Sequence, residues 1–151
     1  MPKPPSTAPI RLSRRTRLAI ALVGGGLWVS GGLWLIFHFF FRKIGPWGPE
    51  PHMLEPWWLG MHGLFAFATL WLVGLLCGLH IVRAWQSGRR RWSGASLLAW
   101  VLALTLTGYL LIYAGDDGPW GLVSPSHWIA GLALPVLYGV HRLIRFLRPE
   151  S

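Results

Sequence analysis

The chain has 151 residues, of which 53% are hydrophobic and 13% are charged, and eleven are tryptophans. This composition excludes an ordinary soluble domain and is typical of a membrane protein. The formal net charge is +9, but the basic residues are clustered between apolar segments, which indicates orientation in a bilayer rather than binding to nucleic acid. The single cysteine, Cys77, excludes an internal disulfide.

The first part of the chain predicts a tail, a helix and a loop. Residues 1–17 are rich in proline and then basic, and we expect a disordered tail that ends beside the membrane. Residues 18–41 carry no charge and are long enough to cross a bilayer as a helix. This segment is too long for the apolar region of a signal peptide, so we expect it to stay in the protein. Residues 42–56 contain four prolines and two glycines and predict a loop.

Three more apolar segments predict three further helices. Turn residues separate them: three consecutive arginines follow the second helix, and two aspartates flanked by glycines follow the third. Either Ser124 or Ser126 is a suitable N-cap for the last helix, and Pro135 predicts a kink near its middle. Residues 148–151 form a C-terminal tail. The expected helices after the first cover residues 57–84, 95–114 and 124–147.

The basic residues are divided unequally between the two sides of the predicted membrane domain, residues 18–147. The N-terminal segment, the turn after the second helix and the C-terminal segment hold twelve Lys and Arg, whereas the two opposite loops hold two. This asymmetry places both termini in the cytoplasm. With short links between the helices, the sequence predicts an all-α membrane protein, an up-down-up-down bundle of four transmembrane helices.

Two of the predicted helices each carry two histidines on one face. In the second helix His62 and His80 are 18 residues apart, which is about five whole turns. In the fourth helix His127 and His141 are 14 residues apart, about 40° short of four turns. Because both helices run from the outer to the inner face, we expect His62 to meet His127 near the outer face and His80 to meet His141 near the inner face.

Facing imidazoles at two depths predict haem binding. Ionisable residues inside membrane helices are rare and usually functional, and two neutral imidazoles can complete the axial coordination of a haem iron. A Cys-x-x-Cys-His motif is absent from the sequence, so we expect two non-covalent b haems. The ligands are about 27 Å apart along the second helix and about 21 Å along the fourth. For both pairs to form, the difference between the two spacings must be compensated by a tilt of one helix, by a kink at Pro135, or by a His62 that lies at the membrane interface. If it is not compensated, the assignment of the outer pair is wrong.

Other residues near the histidines suit the same interpretation. Basic residues at the inner helix ends, including Arg83 and Arg142, are candidate partners for haem propionates. Glycines beside the four histidines leave room for a macrocycle. They are Gly63, Gly78, Gly131 and Gly139.

Several alternatives stay open. His38 could bind an outer haem in place of His62, line a quinone pocket or belong to the interfacial aromatic belt. His52 is most simply a loop residue, but it could hold a metal ion with His38 or accept a proton in quinone chemistry. The paired histidines themselves could be interfacial rings that reach water. The chain could then be a cofactor-free anchor subunit of a redox complex, or it could hold a divalent metal ion at the outer face through His38, His52, His62 and His127.

Four sequence stretches within residues 18–147 carry a resemblance: PHMLEPWWLGMHG, HGLFAFATLWLVGLLCGLHIVRAW, TGYLLIYAGDD and SHWIAGLALPVLYGVH. They resemble the small four-helix, cytochrome b561-like cytochromes b of bacterial inner membranes, including compact subunits found beside redox partners. The resemblance implies two b haems, electron transfer across the membrane, and exchange with the quinone pool or with a periplasmic or membrane redox partner. It implies an electron-transfer subunit rather than a stand-alone enzyme. The positions that match the family's paired histidines are His62, His80, His127 and His141.

Overall fold

The computed structural model describes residues 12–78, 91–114 and 121–147. Within these ranges the chain forms four helices and one small β-hairpin. The helical fold class is thereby confirmed, and the first three helices are each long and apolar enough to cross a membrane. The helices are α1 (Arg14–Phe40), α2 (Glu55–Leu76), α3 (Arg91–Tyr113) and α4 (Val123–Leu147).

Helix α1 begins earlier than its apolar segment. The hydroxyl of Ser13 accepts a hydrogen bond from the Thr16 N–H at 3.1 Å, which caps the helix and starts it at Arg14. The arginines that were expected at the end of a tail therefore lie in the first turns of the helix. At the other end, α1 stops at Phe40, just before the hairpin.

The predicted loop after α1 contains a two-stranded antiparallel sheet. Strand β1 covers Lys43–Gly45 and strand β2 covers Gly48–Glu50, with Lys43 opposite Glu50. Gly48 has a φ of 119°, a conformation that favours glycine. Prolines are tolerated because both strands are edge strands and one proline lies in the turn.

Helices α2, α3 and α4 begin at Glu55, Arg91 and Val123, before the expected starts at residues 57, 95 and 124. Helix α2 is followed by a π turn at residues 77–78, and residues 79–90 lie outside the described ranges. Helix α4 begins at Val123, so that Ser124 lies in its first turn rather than before it. Pro135 is inside α4, which is assigned as one continuous helix.

The helices pack in two pairs. Helix α1 packs along α2, α3 packs along α4, and α1 also contacts α4. Among the described residues no hydrophobic side chain is buried, whereas Ser30 is 2% exposed and Glu55 is 7% exposed. Apolar side chains therefore cover the outside of the helices, as expected for contact with lipid, and the best-buried side chains are polar.

Candidate functional site

The imidazole rings of His62, on α2, and His127, on α4, lie next to each other. Their ring centroids are 6.3 Å apart and the ring planes are almost perpendicular, at 85°. A metal ion bonded to an imidazole nitrogen on each side, at about 2.0–2.1 Å per bond, would separate the two ring centres by about 6 Å. The centroid separation of 6.3 Å is therefore compatible with a single metal atom held between the two rings.

The His62 ring is oriented by α1. Its Nδ1 lies 3.0 Å from the carbonyl oxygen of Leu27 and 3.4 Å from the hydroxyl of Ser30. A carbonyl oxygen only accepts hydrogen bonds, so Nδ1 carries the hydrogen and donates it. In the neutral ring, Nε2 is then the nitrogen with a free lone pair, which is the one that can bind a metal.

The His127 ring is oriented by α3 in a similar way. Its Nδ1 lies 2.9 Å from the hydroxyl oxygen of Thr107, and that hydroxyl is also 2.9 Å from the carbonyl oxygen of Ala103. The single hydroxyl hydrogen goes to the carbonyl, so the Thr107 oxygen accepts the hydrogen of His127 Nδ1. The lone pair of the neutral ring is again on Nε2, and both histidines present the same nitrogen for coordination.

Each of these rings also lies against a glycine of the neighbouring helix. A Cβ atom added at Gly31 would lie 2.9 Å from His62 Cε1, and one added at Gly108 would lie 3.2 Å from His127 Cε1. An added Cβ at Gly31 would therefore push the His62 ring away, and one at Gly108 would leave little room for the His127 ring. By contrast, an added Cβ meets nothing within 4 Å at Gly63, Gly78, Gly131 and Gly139.

The predicted inner pair cannot be placed in the same way. His80 and Arg83 lie outside the described residues. His141 is partly buried in α4, and the next residue, Arg142, is exposed. The inner haem site and the roles of these arginines remain predictions from the sequence.

His38 belongs to a different cluster near the C-terminal end of α1. Its Nδ1 lies 2.5 Å from Glu55 Oε1, and its Nε2 lies 3.3 Å from the Arg42 guanidinium. The ring also stacks on Trp34, with centroids 4.6 Å apart. Because a guanidinium only donates hydrogen bonds, Nε2 accepts and Nδ1 donates to Glu55. Both ring nitrogens are engaged, and His38 is roughly 12 Å further along α1 than Ser30, the neighbour of His62.

His52 packs at the end of α1. Its ring centroid is 4.8 Å from that of Phe37 and 6.4 Å from that of Phe41, and its Nδ1 accepts the Leu54 N–H at 3.1 Å. Within the described ranges, no group of three or more His, Cys, Asp or Glu side chains is placed to hold a metal ion. The divalent site expected from four outer histidines is therefore not assembled there.

Sequence reasoning identified the two facing histidines but missed the residues that orient them. Ser30 and Thr107 are polar residues within apolar helices, which is the signal that could have drawn attention to them. The pairing of His38 with Glu55 was also missed, although His38 was a candidate residue.

Comparisons of the chain with protein-family models, with curated proteins and with solved structures found no match. The resemblance to small cytochromes b therefore remains a prediction from the sequence.

Proposed function

We propose that the protein is a membrane-embedded b-type cytochrome that carries electrons across the bilayer, in which His62 and His127 would hold the iron of one haem. The geometry of this pair carries the proposal: the ring centroids are 6.3 Å apart, and both Nδ1 atoms are already hydrogen-bonded to neighbouring helices. A haem bound through two histidines supplies one-electron redox chemistry.

The other residues of the site hold the ligands in place. The Leu27 carbonyl and the Thr107 hydroxyl accept hydrogen bonds from the two rings, which fixes their tautomers and makes Nε2 a better donor to iron. Gly31 and Gly108 let the two rings lie close to the backbones of α1 and α3. Each ligand is thus carried by one helix and oriented by another, so all four helices contribute to the site.

The same arrangement supports a bundle of four membrane-spanning helices with both termini in the cytoplasm. Helix α4 has 25 residues and reaches about 37 Å, which is sufficient to cross a bilayer. Its basic residues, including Arg142, lie near its C-terminal end, where the positive-inside rule places them in the cytoplasm. We propose the inner membrane of a bacterium as the location, on the resemblance of the sequence.

A second haem between His80 and His141 belongs to the same proposal, together with exchange with the quinone pool and with a periplasmic or membrane redox partner. The support is the spacing of the histidines on the second and fourth helices and the basic residues beside them, Arg83 and Arg142. Two haems at two depths would connect the two faces of the membrane.

The purified protein provides the test. We expect a Soret band, reduced α-bands that respond to dithionite, and about two haems per chain in a pyridine haemochrome assay. A measured content of one haem per chain would support the outer site and contradict the proposal of an inner one. A colourless protein that still assembles with a partner would instead support a cofactor-free anchor subunit. Elemental analysis that finds zinc or copper without iron would support a divalent metal site.

A further inference from the structure

The hairpin formed by β1 and β2 leaves large apolar side chains open. Ile44, on β1, is 94% exposed, and Trp47, in the turn between the strands, is 97% exposed. Among the described residues these are the two most exposed large hydrophobic side chains. Apolar groups that a fold leaves together at its surface, with charged groups beside them, are typical of an interaction site. The hairpin is therefore a candidate interaction surface.

The pairing of the strands divides the hairpin into an apolar face and a charged face. Ile44 lies opposite Pro49, and Lys43 lies opposite Glu50. Because successive side chains of a strand point to opposite sides, Ile44 and Pro49 share the apolar face, and Lys43 and Glu50 share the charged face. All four residues are exposed. The hairpin is thus amphipathic, although each strand has only three residues.

The hairpin directly follows a helix whose surface is suited to lipid. Residues 39–41 are all phenylalanine and are between 52% and 80% exposed, so the apolar surface of α1 continues through its last turn towards β1. The guanidinium of Arg42 lies 3.3 Å from Nε2 of His38, which is in that last turn. This contact holds the base of the hairpin beside the end of α1. The apolar face of the hairpin is therefore close to the lipid-facing surface of the helix.

The length of the hairpin keeps it within reach of the membrane surface. Each strand has three residues and spans about 10 Å, and the headgroup layer on each side of the hydrocarbon core is about 5–8 Å thick. A hairpin that lies flat beside the end of α1 keeps Ile44 and Trp47 within this layer, where tryptophan is enriched. A hairpin that stands upright carries Trp47 through the layer into water. Contact of both side chains with lipid thus requires the flat orientation.

We propose that the hairpin lies flat on the membrane surface, with Ile44 and Trp47 among the lipid headgroups, and anchors the C-terminal end of α1 there. The charged face then points to water, where Lys43 and Glu50 stay hydrated. Lipid fits this surface better than a protein does, because two large side chains offer much less than the roughly 800 Å² that each partner buries in a standard protein interface. The proposal rests on α1 crossing the membrane and not on the presence of haem.

The test measures which face of the hairpin contacts lipid. Pro49→Cys places a nitroxide label on the apolar face and Lys43→Cys places one on the charged face, and both leave Ile44 and Trp47 intact. Cys77→Ser in each variant restricts the label to one thiol. In phosphatidylcholine liposomes, power-saturation EPR compares collisions with oxygen, which concentrates in the bilayer, and with a nickel chelate, which stays in water. We expect the ratio of oxygen to nickel collisions to be several-fold higher at position 49 than at position 43.

Two results would overturn the proposal. Equal ratios at positions 43 and 49 would show that the hairpin stands in water. Low collision rates of both reagents at position 49 would show that protein covers the apolar face. If those rates rise when the protein is diluted with lipid, the covering protein is a second copy of the chain.

A further substitution tests whether Ile44 holds the face in lipid. In the chain labelled at position 49, Ile44→Asn should lower the ratio towards the value at position 43, because the apolar anchor is lost. Trp92→Gln, at a side chain of α3 that is 88% exposed, is the matched control and should leave the ratio unchanged. An unchanged ratio in the Ile44 variant would contradict the proposed anchor.

A measurement without labels or cysteine variants addresses Trp47. The difference in fluorescence between the unaltered chain and Trp47→Phe isolates the emission of this indole among the eleven tryptophans. We expect phosphatidylcholine brominated near the headgroup end of its acyl chains to quench most of that emission. Emission that such lipid leaves unquenched would place Trp47 in water and overturn the proposal, whether or not the labelled variants fold.

Discussion

His38, His62 and His127 show two ways of holding an imidazole. His62 and His127 are each oriented through Nδ1 by a neighbouring helix, and Nε2 has the lone pair. His38 is engaged at both nitrogens, by Glu55 on one side and by Arg42 on the other. A histidine in an apolar helix is therefore not by itself a candidate metal ligand. It is a candidate when only one ring nitrogen is hydrogen-bonded and the other keeps its lone pair, whereas a ring bonded at both nitrogens belongs to a hydrogen-bond network.

The partners of these rings also differ in charge. His62 and His127 bind a carbonyl and a hydroxyl, which are neutral, whereas His38 lies between a carboxylate and a guanidinium. Charged groups are costly in the membrane interior and less so near its surface. The side chain of His38 is 26% exposed, consistent with its position in the last turn of α1. Neutral partners are suited to a pair that we propose to bind iron, because a histidine ligand must be unprotonated.

Substitution of a proposed haem ligand should have the largest effect on haem content. It also distinguishes the facing pair, His62 and His127, from His38. We expect His62→Ala and His127→Ala each to lose about one haem per chain, because a single imidazole cannot hold the iron between the helices. His38→Ala is the matched control and should retain the full haem content. The pyridine haemochrome assay measures the difference. Equal losses from His38→Ala would show that both groups of histidines bind iron.

Helical periodicity predicted the outer pair, and its formation has a simple geometric reason. His62 lies seven residues after the start of α2 and His127 four residues after the start of α4, so both rings lie near the N-terminal ends of their helices. The unequal spacings of 18 and 14 residues affect the inner pair rather than this one. The π turn at residues 77–78 lies between the two predicted ligands of the second helix, where it changes the helical register.

The groups that orient the two rings, the Leu27 carbonyl and the Thr107 hydroxyl, could not be predicted from the sequence. The Leu27 carbonyl is a backbone group that every residue has, and no periodic pattern links residue 27 to residue 62 or residue 107 to residue 127. These bonds depend on how α1 packs against α2 and α3 against α4. The same applies to Glu55 and His38, which lie on different helices and come together only when α1 and α2 are packed.

Loss of the Thr107 hydroxyl should have the next largest effect. Thr107→Val removes the acceptor for His127 Nδ1 at constant side-chain size, and loss of such a supporting bond typically lowers metal affinity about 10- to 100-fold. The affinity for the outer haem and its reduction potential are the quantities to measure. Thr107→Ser should restore both.

The matched control for this change is Thr105→Val on the same helix. The Thr105 hydroxyl donates to the Val101 carbonyl of its own helix at 2.9 Å and, among the described residues, makes no bond to a histidine. We expect no change of the potential. A shift of equal size in the Thr105 variant would attribute the effect to helix α3 as a whole rather than to the orientation of His127.

An added methyl group at Gly31 should have a smaller effect on the same site. Its Cβ would lie 2.9 Å from His62 Cε1 and 3.0 Å from Nδ1, so the ring must move by a few tenths of an ångström. We expect Gly31→Ala to lower the occupancy of the outer haem by about half. Gly32→Ala is a close control, because its added Cβ meets nothing within 4 Å. Similar losses in both variants would assign the effect to the helix itself and not to contact with the ring.

The smallest effect is expected at the bond that joins α3 to α4 away from the ligands. The Trp100 indole N–H donates a hydrogen bond to the Ala130 carbonyl at 3.0 Å. The carbonyl of the next residue, Gly131, receives no helical hydrogen bond, because residue 135 is a proline and has no N–H. Hydrogen bonds between membrane helices contribute about 0.6 kcal/mol on average and at most about 1.7 kcal/mol, so Trp100→Phe should lower the unfolding free energy by that amount. Trp92→Phe, at a side chain that is 88% exposed, is the control. Because this bond supports the helix pair and not the imidazoles, the haem spectrum should stay unchanged while stability in detergent falls. A change of the spectrum without a loss of stability would instead place Trp100 in contact with the haem.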